Sequence, residues 1–178
     1  MIIHTLGPEE TDSSSAAYHY LKKRQTAGQI VLHDCFEDIT HHLTDYRSDF
    51  LIMPAAYKSF RDHIDWADFH YSHLRGLRLV ACFRHPLNPL VLVRRNGASN
   101  GIACTHPATT TLLRHYLGDT ASDCEIRYAD SKYLAYQMYR REKARYVITS
   151  LRIVRLDPDE SIEQTWTPDM VWCVYEIL

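Results

Sequence analysis

Short apolar runs alternate along this chain with polar, cap-forming stretches, and that alternation predicts the elements. Ile2, Ile3 and Leu6 supply a buried strand that Gly7 and Pro8 end. Thr11, Asp12 and Ser13 are N-cap candidates for a helix running to Leu21. Gln29–His33 is a second strand, and Asp38 can cap a short helix through Leu43. Phe50–Met53 is continuously apolar and stops at Pro54, the pattern of a strand buried on both faces. Tyr57–Asp62 reads as a helical turn and Phe69–Tyr71 as a short extended piece. Leu77–Phe83 alternates as a strand should, the two prolines of Arg84–Pro89 force irregular backbone, and Leu90–Arg94 is a further strand before the Asn96-Gly97 turn.

The second half repeats the logic. Gly101–Cys104 is a short strand, and Thr105 or His106 can cap a helix whose first residue is Pro107 and whose end is Gly118. Glu125–Tyr128 is a strand, Asp130 or Ser131 caps a helix carrying Leu134 and Met138, and Tyr146–Thr149 is again a strand. Ile153–Leu156 and Val171–Ile177 are the last extended runs, with Asp157 to Pro168 read as a polar loop between them. Strands alternating with helices predict an α/β fold with substantially parallel sheets. In such folds ligands sit beyond the carboxyl ends of the strands. The capped junctions at Thr11–Ser13, Thr105–Thr109 and Asp130–Ser131 fall there and suit a small carboxylate.

Composition narrows the function classes. With 46% hydrophobic and 24% charged residues and a formal net charge of −2, the chain suits a globular protein with a small-molecule partner, not nucleic acid or a membrane. No apolar run approaches the roughly 20 residues that span a bilayer. The start lacks the pattern of a signal peptide. The five cysteines are scattered, with no C-x-x-C pair, which suits a reduced, cytoplasmic protein.

Four residues are candidates for chemistry, each with a structural alternative beside it. His106 is a general acid or a helix cap. Tyr57 is a proton donor or a packed aromatic. Arg84 and His85 are cleft-facing charges or a solvated loop. His41-His42 and His70-x-x-His73 lack partners at a zinc spacing and read as exposed histidines; no metal and no cofactor is expected. Cys104 reads as a buried thiol.

Thr5–Ala17 (TLGPEETDSSSAA), Thr105–Leu112 (THPATTTL) and Ala129–Ala135 (ADSKYLA) followed by Tyr146–Ser150 resemble, in order and spacing, the prephenate dehydratase domain family. The resemblance implies one catalytic domain with two α/β lobes and a cleft between them, similar to type 2 periplasmic binding proteins. Lobe 1 would be about 1–80 plus 153–178 and lobe 2 about 90–149, and a homodimer is implied. It also implies a substrate site at Thr11, Asp12, Ser13, Thr105, Pro107, Ala108, Thr109 and Ser131, with His106, Tyr57 and Arg84 as catalytic candidates. Departures matter. Glu10 and Asp12 stand where the family has glycine and an aromatic residue, and Asp169–Tyr175 (DMVWCVY) lacks the dehydratases' Thr-Arg-Phe signature, whose Thr is the presumed acid. These departures, with Pro54–Tyr57, resemble the bacilysin-pathway prephenate decarboxylases of antibiotic and secondary metabolism. The implied reaction is non-aromatising decarboxylation of prephenate. A dehydratase-like enzyme and a non-catalytic carboxylate-binding module are the other readings.

Overall fold

All residues from 1 to 178 are described in a computed structural model. The chain divides into two compact units, Met1–Tyr57 with Ile64–Leu87 and Asp169–Leu178, and Lys58–His63 with Asn88–Pro168.

The first unit is a mixed sheet of β1 (Ile2–Leu6), β2 (Gln29–His33), β3 (Phe50–Pro54), β4 (Leu77–Arg84) and β10 (Val171–Ile177) in the order β2-β1-β3-β10-β4. β1 runs parallel to β2 and β3, while β10 is antiparallel to β3 and β4. Helix α1 (Asp12–Arg24) buries Ala16, Ala17, Tyr20 and Leu21 with Ile52, Trp172 and Val174. The other apolar cluster joins Leu51, Met53, Cys173 and Tyr175 to Phe36 and Ile39 of α2 (Phe36–Thr40) and Phe69 of α3 (Trp66–Ser72). Both faces of the sheet centre are therefore covered, which is why Phe50–Met53 is continuously apolar.

The second unit has β5 (Leu90–Arg95), β6 (Ile102–Thr105), β7 (Glu125–Tyr128), β8 (Tyr146–Ser150) and β9 (Glu160–Trp166) in the order β7-β6-β8-β5-β9. β6, β7 and β8 are parallel and β5 is antiparallel to β8 and β9. Helices α4 (Thr110–Leu117) and α5 (Lys132–Glu142) cover it, α4 with Leu113 and Leu117, α5 with Ala135, Tyr136 and Tyr139.

Four expectations are corrected. Tyr57–Asp62 is irregular chain with an isolated bridge at Lys58 and a bend over residues 60–62, not helix. Phe69–Tyr71 lies inside α3, nucleated by a capping box in which Asp65 accepts from Ala67 N (2.8 Å) and Asp68 N (3.2 Å), while Asp65 N donates to Asp68 (3.2 Å). Ile153–Leu156 is a short 3₁₀ turn followed by irregular chain. The polar stretch after Asp157 contains β9, which pairs with β5, so the hydrogen bonds of Glu160–Trp166 belong to the second unit and not to lobe 1. The sheets are accordingly mixed, each with one strand, β10 or β5, running against the other four.

Candidate functional site

In the first unit the opening loop is built tightly. Gly7 N donates to His33 O at 2.7 Å, and a Cβ on Gly7 would stand 2.9 Å from Leu32 Cβ, so the close approach to β2 demands glycine. Thr11 is the N-cap of α1: its Oγ1 donates to Leu6 O (2.8 Å) and accepts from Ser14 N (3.2 Å). Asp12, Ser13 and Ser14 are all buried in the first turn, and the Ser14 hydroxyl has no hydrogen-bond partner. Glu10 sits exposed in the preceding turn, away from these buried groups.

His85 lies close to this turn. Its Nε2 is 3.2 Å from Ser15 Oγ and its ring stacks on His19 at 4.4 Å. Burial first and then the His19 charge lower its pKa, with Asp12 opposing. Arg84, its neighbour, is exposed and ion-paired with Asp169 at 2.6 Å. Tyr57 is placed in the core instead: its hydroxyl donates to Glu37 Oε1 at 3.1 Å, and its ring packs edge-on against Phe36 and Phe69. Its packed-aromatic reading is the one the geometry favours.

In the second unit the carboxyl ends of β6 and β8 carry hydroxyls. Thr105 Oγ1 and Thr109 Oγ1 are 2.8 Å apart, and Thr109 Oγ1 donates to His106 O at 2.9 Å. Thr149 Oγ1 donates to Lys132 O (2.8 Å), and Ser131 Oγ caps α5 by accepting from Leu134 N (3.0 Å). The buried hydroxyl of Ser150 has no partner.

His106 is placed as a cap. Its Nδ1 accepts from Ala108 N at 3.2 Å, capping the turn Pro107–Thr109 that leads into α4. An accepting Nδ1 leaves the proton of the neutral ring on Nε2. Burial, and then the Lys132 ammonium, push its pKa down to about 3, so the ring is neutral at pH 7. His106 therefore offers an N–H donor, not an imidazolium acid.

Beside this turn lies a pocket of about 370 Å³, within the size range of small-molecule sites. Pro107, Thr110, Thr111 and Arg114 form one wall, at the helical spacing that puts them on one face, and Lys58, Ser59, Phe60, His63 and Tyr128 complete it. Neither the Lys58 nor the Arg114 side chain makes a hydrogen bond or ion pair, and no carboxylate lines the pocket. The rings of Phe60 and Tyr128 meet at a tilt of 32°, with centroids 4.8 Å apart. Two cations with two rings suit an anionic, flat or unsaturated small molecule. Of the sequence candidates only Pro107 lines this pocket; Thr105, His106, Ala108, Thr109 and Ser131 sit at the adjoining strand ends. Lys58, Arg114 and Ser150 escaped the sequence reading. The spacing of Pro107, Thr110, Thr111 and Arg114 was visible, whereas the return of Lys58 to the second unit was not.

No group of three or more His, Cys, Asp and Glu side chains is arranged to hold a metal ion. His42, His70 and His73 are engaged locally, with Asp38 O, the Tyr175 hydroxyl and Phe69 O respectively. No helix is long and apolar enough to cross a membrane.

No family model matches the chain. A curated protein named prephenate decarboxylase, from Planktothrix agardhii, is 26% identical over 185 residues, covering 98% of this chain and 87% of that protein. Among solved structures, prephenate dehydratase from Arthrobacter aurescens in complex with L-Phe superposes with a TM-score of 0.63 at 12% identity, covering all of this chain and 61% of that one. The periplasmic VFT2 domain of Bordetella pertussis BvgS gives 0.58 at 13% identity, over 99% of this chain and 80% of the other. This chain is thus shorter than two thirds of the dehydratase it superposes on. Along nearly its whole length the chain resembles the prephenate dehydratase-domain family, and it has that family's fold of two α/β lobes.

Proposed function

We propose that the protein is a prephenate decarboxylase that removes the ring carboxylate without forming an aromatic ring, and that it serves an antibiotic or other secondary-metabolite pathway. The observation that carries this reading is the similarity to a named prephenate decarboxylase over 98% of the chain. The pocket beside α4 supports it chemically. Prephenate carries two carboxylates on an unsaturated ring, and the pocket pairs two uncommitted cationic side chains, Lys58 and Arg114, with the rings of Phe60 and Tyr128.

The reaction consumes one proton and releases CO₂. The bond from the ring to its carboxylate breaks, its electron pair shifts across the adjacent double bond, and the carbon at the far end takes the proton. The ring hydroxyl stays. Protonating that hydroxyl instead would expel water and give an aromatic product, so the site must hold no strong acid there. A neutral His106, at the strand end adjoining the pocket, meets that requirement: it is no strong acid and leaves the hydroxyl in place. Binding the pyruvyl carboxylate firmly while leaving the ring carboxylate poorly solvated favours loss of the latter.

The test is incubation of the pure protein with prephenate, following ultraviolet spectra and CO₂. A conjugated, non-aromatic product with stoichiometric CO₂ is expected. Phenylpyruvate would establish a dehydratase, and binding without turnover a carboxylate-binding module. Arg114→Ala should raise KM for prephenate by about tenfold, the scale of one lost charge-assisted hydrogen bond. An unchanged KM would remove this pocket from the substrate site.

A further inference from the structure

Cys82 on β4 and Cys173 on β10 face each other directly in the antiparallel ladder, and their sulfurs are 4.0 Å apart. Opposed residues in such a ladder have Cα atoms about 4.5–5.5 Å apart, inside the range that a disulfide spans. Closing the bond needs the sulfurs to approach by about 2 Å. β4 is the edge strand of its sheet, and the ladder is already irregular between Val174 and Tyr175, so one side of the pair can shift without displacing a strand beyond it.

The two thiols differ in the way an oxidation sequence requires. Cys82 is exposed, whereas Cys173 is buried beside Tyr175 and Met53. Burial, and then Cys82, hold the Cys173 thiol up at about 12, so it is the poorer first nucleophile. Cys35 and Cys104 are buried on other elements and lack a sulfur partner.

We propose that Cys82 and Cys173 form a site of reversible oxidation by hydroperoxides, with Cys82 oxidised first and Cys173 resolving it into a cross-strand disulfide. In the first step the Cys82 sulfur attacks the peroxide. An S–O bond forms and the O–O bond breaks, leaving a sulfenic acid and releasing water from hydrogen peroxide. In the second step the Cys173 sulfur attacks the Cys82 sulfur. The S–S bond forms, the S–O bond breaks and a second water leaves with the thiol proton. Two thiols lose two electrons and the peroxide gains them.

The position gives the disulfide a consequence. The chain passes from the first unit to the second just after β4 and returns just before β10. These two exits are already tied by His85 N to Met170 O (3.1 Å), Trp172 Nε1 to His85 O (2.9 Å) and the Arg84–Asp169 pair. A covalent link at Cys82–Cys173 makes that tie permanent until reduced.

The proposal is independent of the substrate assignment, and its test needs no turnover. The reduced protein is treated with hydrogen peroxide, free thiols are alkylated, and non-reduced peptides are read by mass spectrometry. A linked Cys82–Cys173 peptide that dithiothreitol abolishes is expected, with a higher melting temperature for the oxidised form. Cys173→Ser should stop at a Cys82 sulfenic acid that dimedone traps, and Cys82→Ser should give no linked peptide. Full alkylation of both cysteines after peroxide, sulfinic acid at Cys82 in the unsubstituted protein, or disulfides to other cysteines would overturn it.

Discussion

His106 shows how a capping side chain has its protonation fixed by where it sits. The nitrogen that caps the turn before α4 cannot also hold a proton, so capping sets the tautomer, while burial and then the Lys132 ammonium lower the pKa. The pH consequence has a definite sign. The native ring stays neutral down to about pH 3, whereas the unfolded ring takes a proton near its ordinary value of 6.5. Its contribution to stability is therefore complete above 6.5 and declines as pH falls from there toward 3. His33 and His85 are shifted the same way, so the measurement is a difference. His106→Asn keeps a capping acceptor but removes the titration. Urea unfolding should show the unsubstituted protein losing stability relative to this variant between pH 6.5 and pH 4; parallel curves would refute the buried neutral ring. Tyr57 makes the contrast. Tyr57→Phe should cost about 1 kcal/mol, because the Glu37 carboxylate loses a buried hydrogen bond, while kcat on prephenate stays unchanged. A kcat loss of a hundredfold would return Tyr57 to the chemistry.

At the scale of elements, what the sequence made legible was whatever the apolar pattern carries. β1, β3, β5, β8 and β10 are central strands with buried runs, and each was visible. β9 was not, because an edge strand buries few side chains and Glu-Ser-Ile-Glu-Gln-Thr-Trp looks like loop. What holds it is a charge. The Glu160 side chain is fully buried, with its carboxylate on Arg95 Nη2 (2.6 Å), Arg140 Nη1 (3.3 Å) and Asp157 N (2.9 Å). Arg95 also lies over the Tyr139 ring at 5.2 Å, which ties β9 and β5 to α5. α3 escaped for a different reason: its capping box, Asp65 and Asp68, was in the sequence, but the helix is short and only Phe69 is buried. The site was legible in part on the same terms. Caps such as Thr11, His106 and Ser131 follow local rules, whereas Lys58 reaches α4 only through the tertiary fold. Glu160→Ala should destabilise by about 1–3 kcal/mol, since it leaves Arg95 only its more exposed partners Asp157 and Asp159, and Glu160→Gln by less. Chemical denaturation checks both, and a cost below 1 kcal/mol for the alanine variant would mean that solvent reaches the guanidinium groups.

At the scale of the molecule, the two sheets share one plan, a parallel trio, one antiparallel strand and an edge strand that runs with the trio, without any repeat in sequence. Their connectivity differs in a way that affects folding. The second unit is almost continuous, Asn88–Pro168 plus a short excursion at Lys58–His63, whereas the first is completed only by Asp169–Leu178. β10 is not an accessory there: it lies between β3 and β4, and Trp172 is among the largest fully buried side chains. The sheet of the first unit therefore cannot close until the end of the chain arrives, and loop-closure entropy must be met before that contact forms. Trp172→Ala removes the indole from between Ile3, Ile52 and Val174 and the hydrogen bond to His85 O, which should cost about 3–5 kcal/mol. That cost should fall unevenly. Hydrogen exchange should speed up at the amides of β1 and β3, while those of β5 and β8 keep their protection, because their ladder contains no strand from the first unit. An equal loss of protection in both sheets would show instead that the two units open only together, as one cooperative structure.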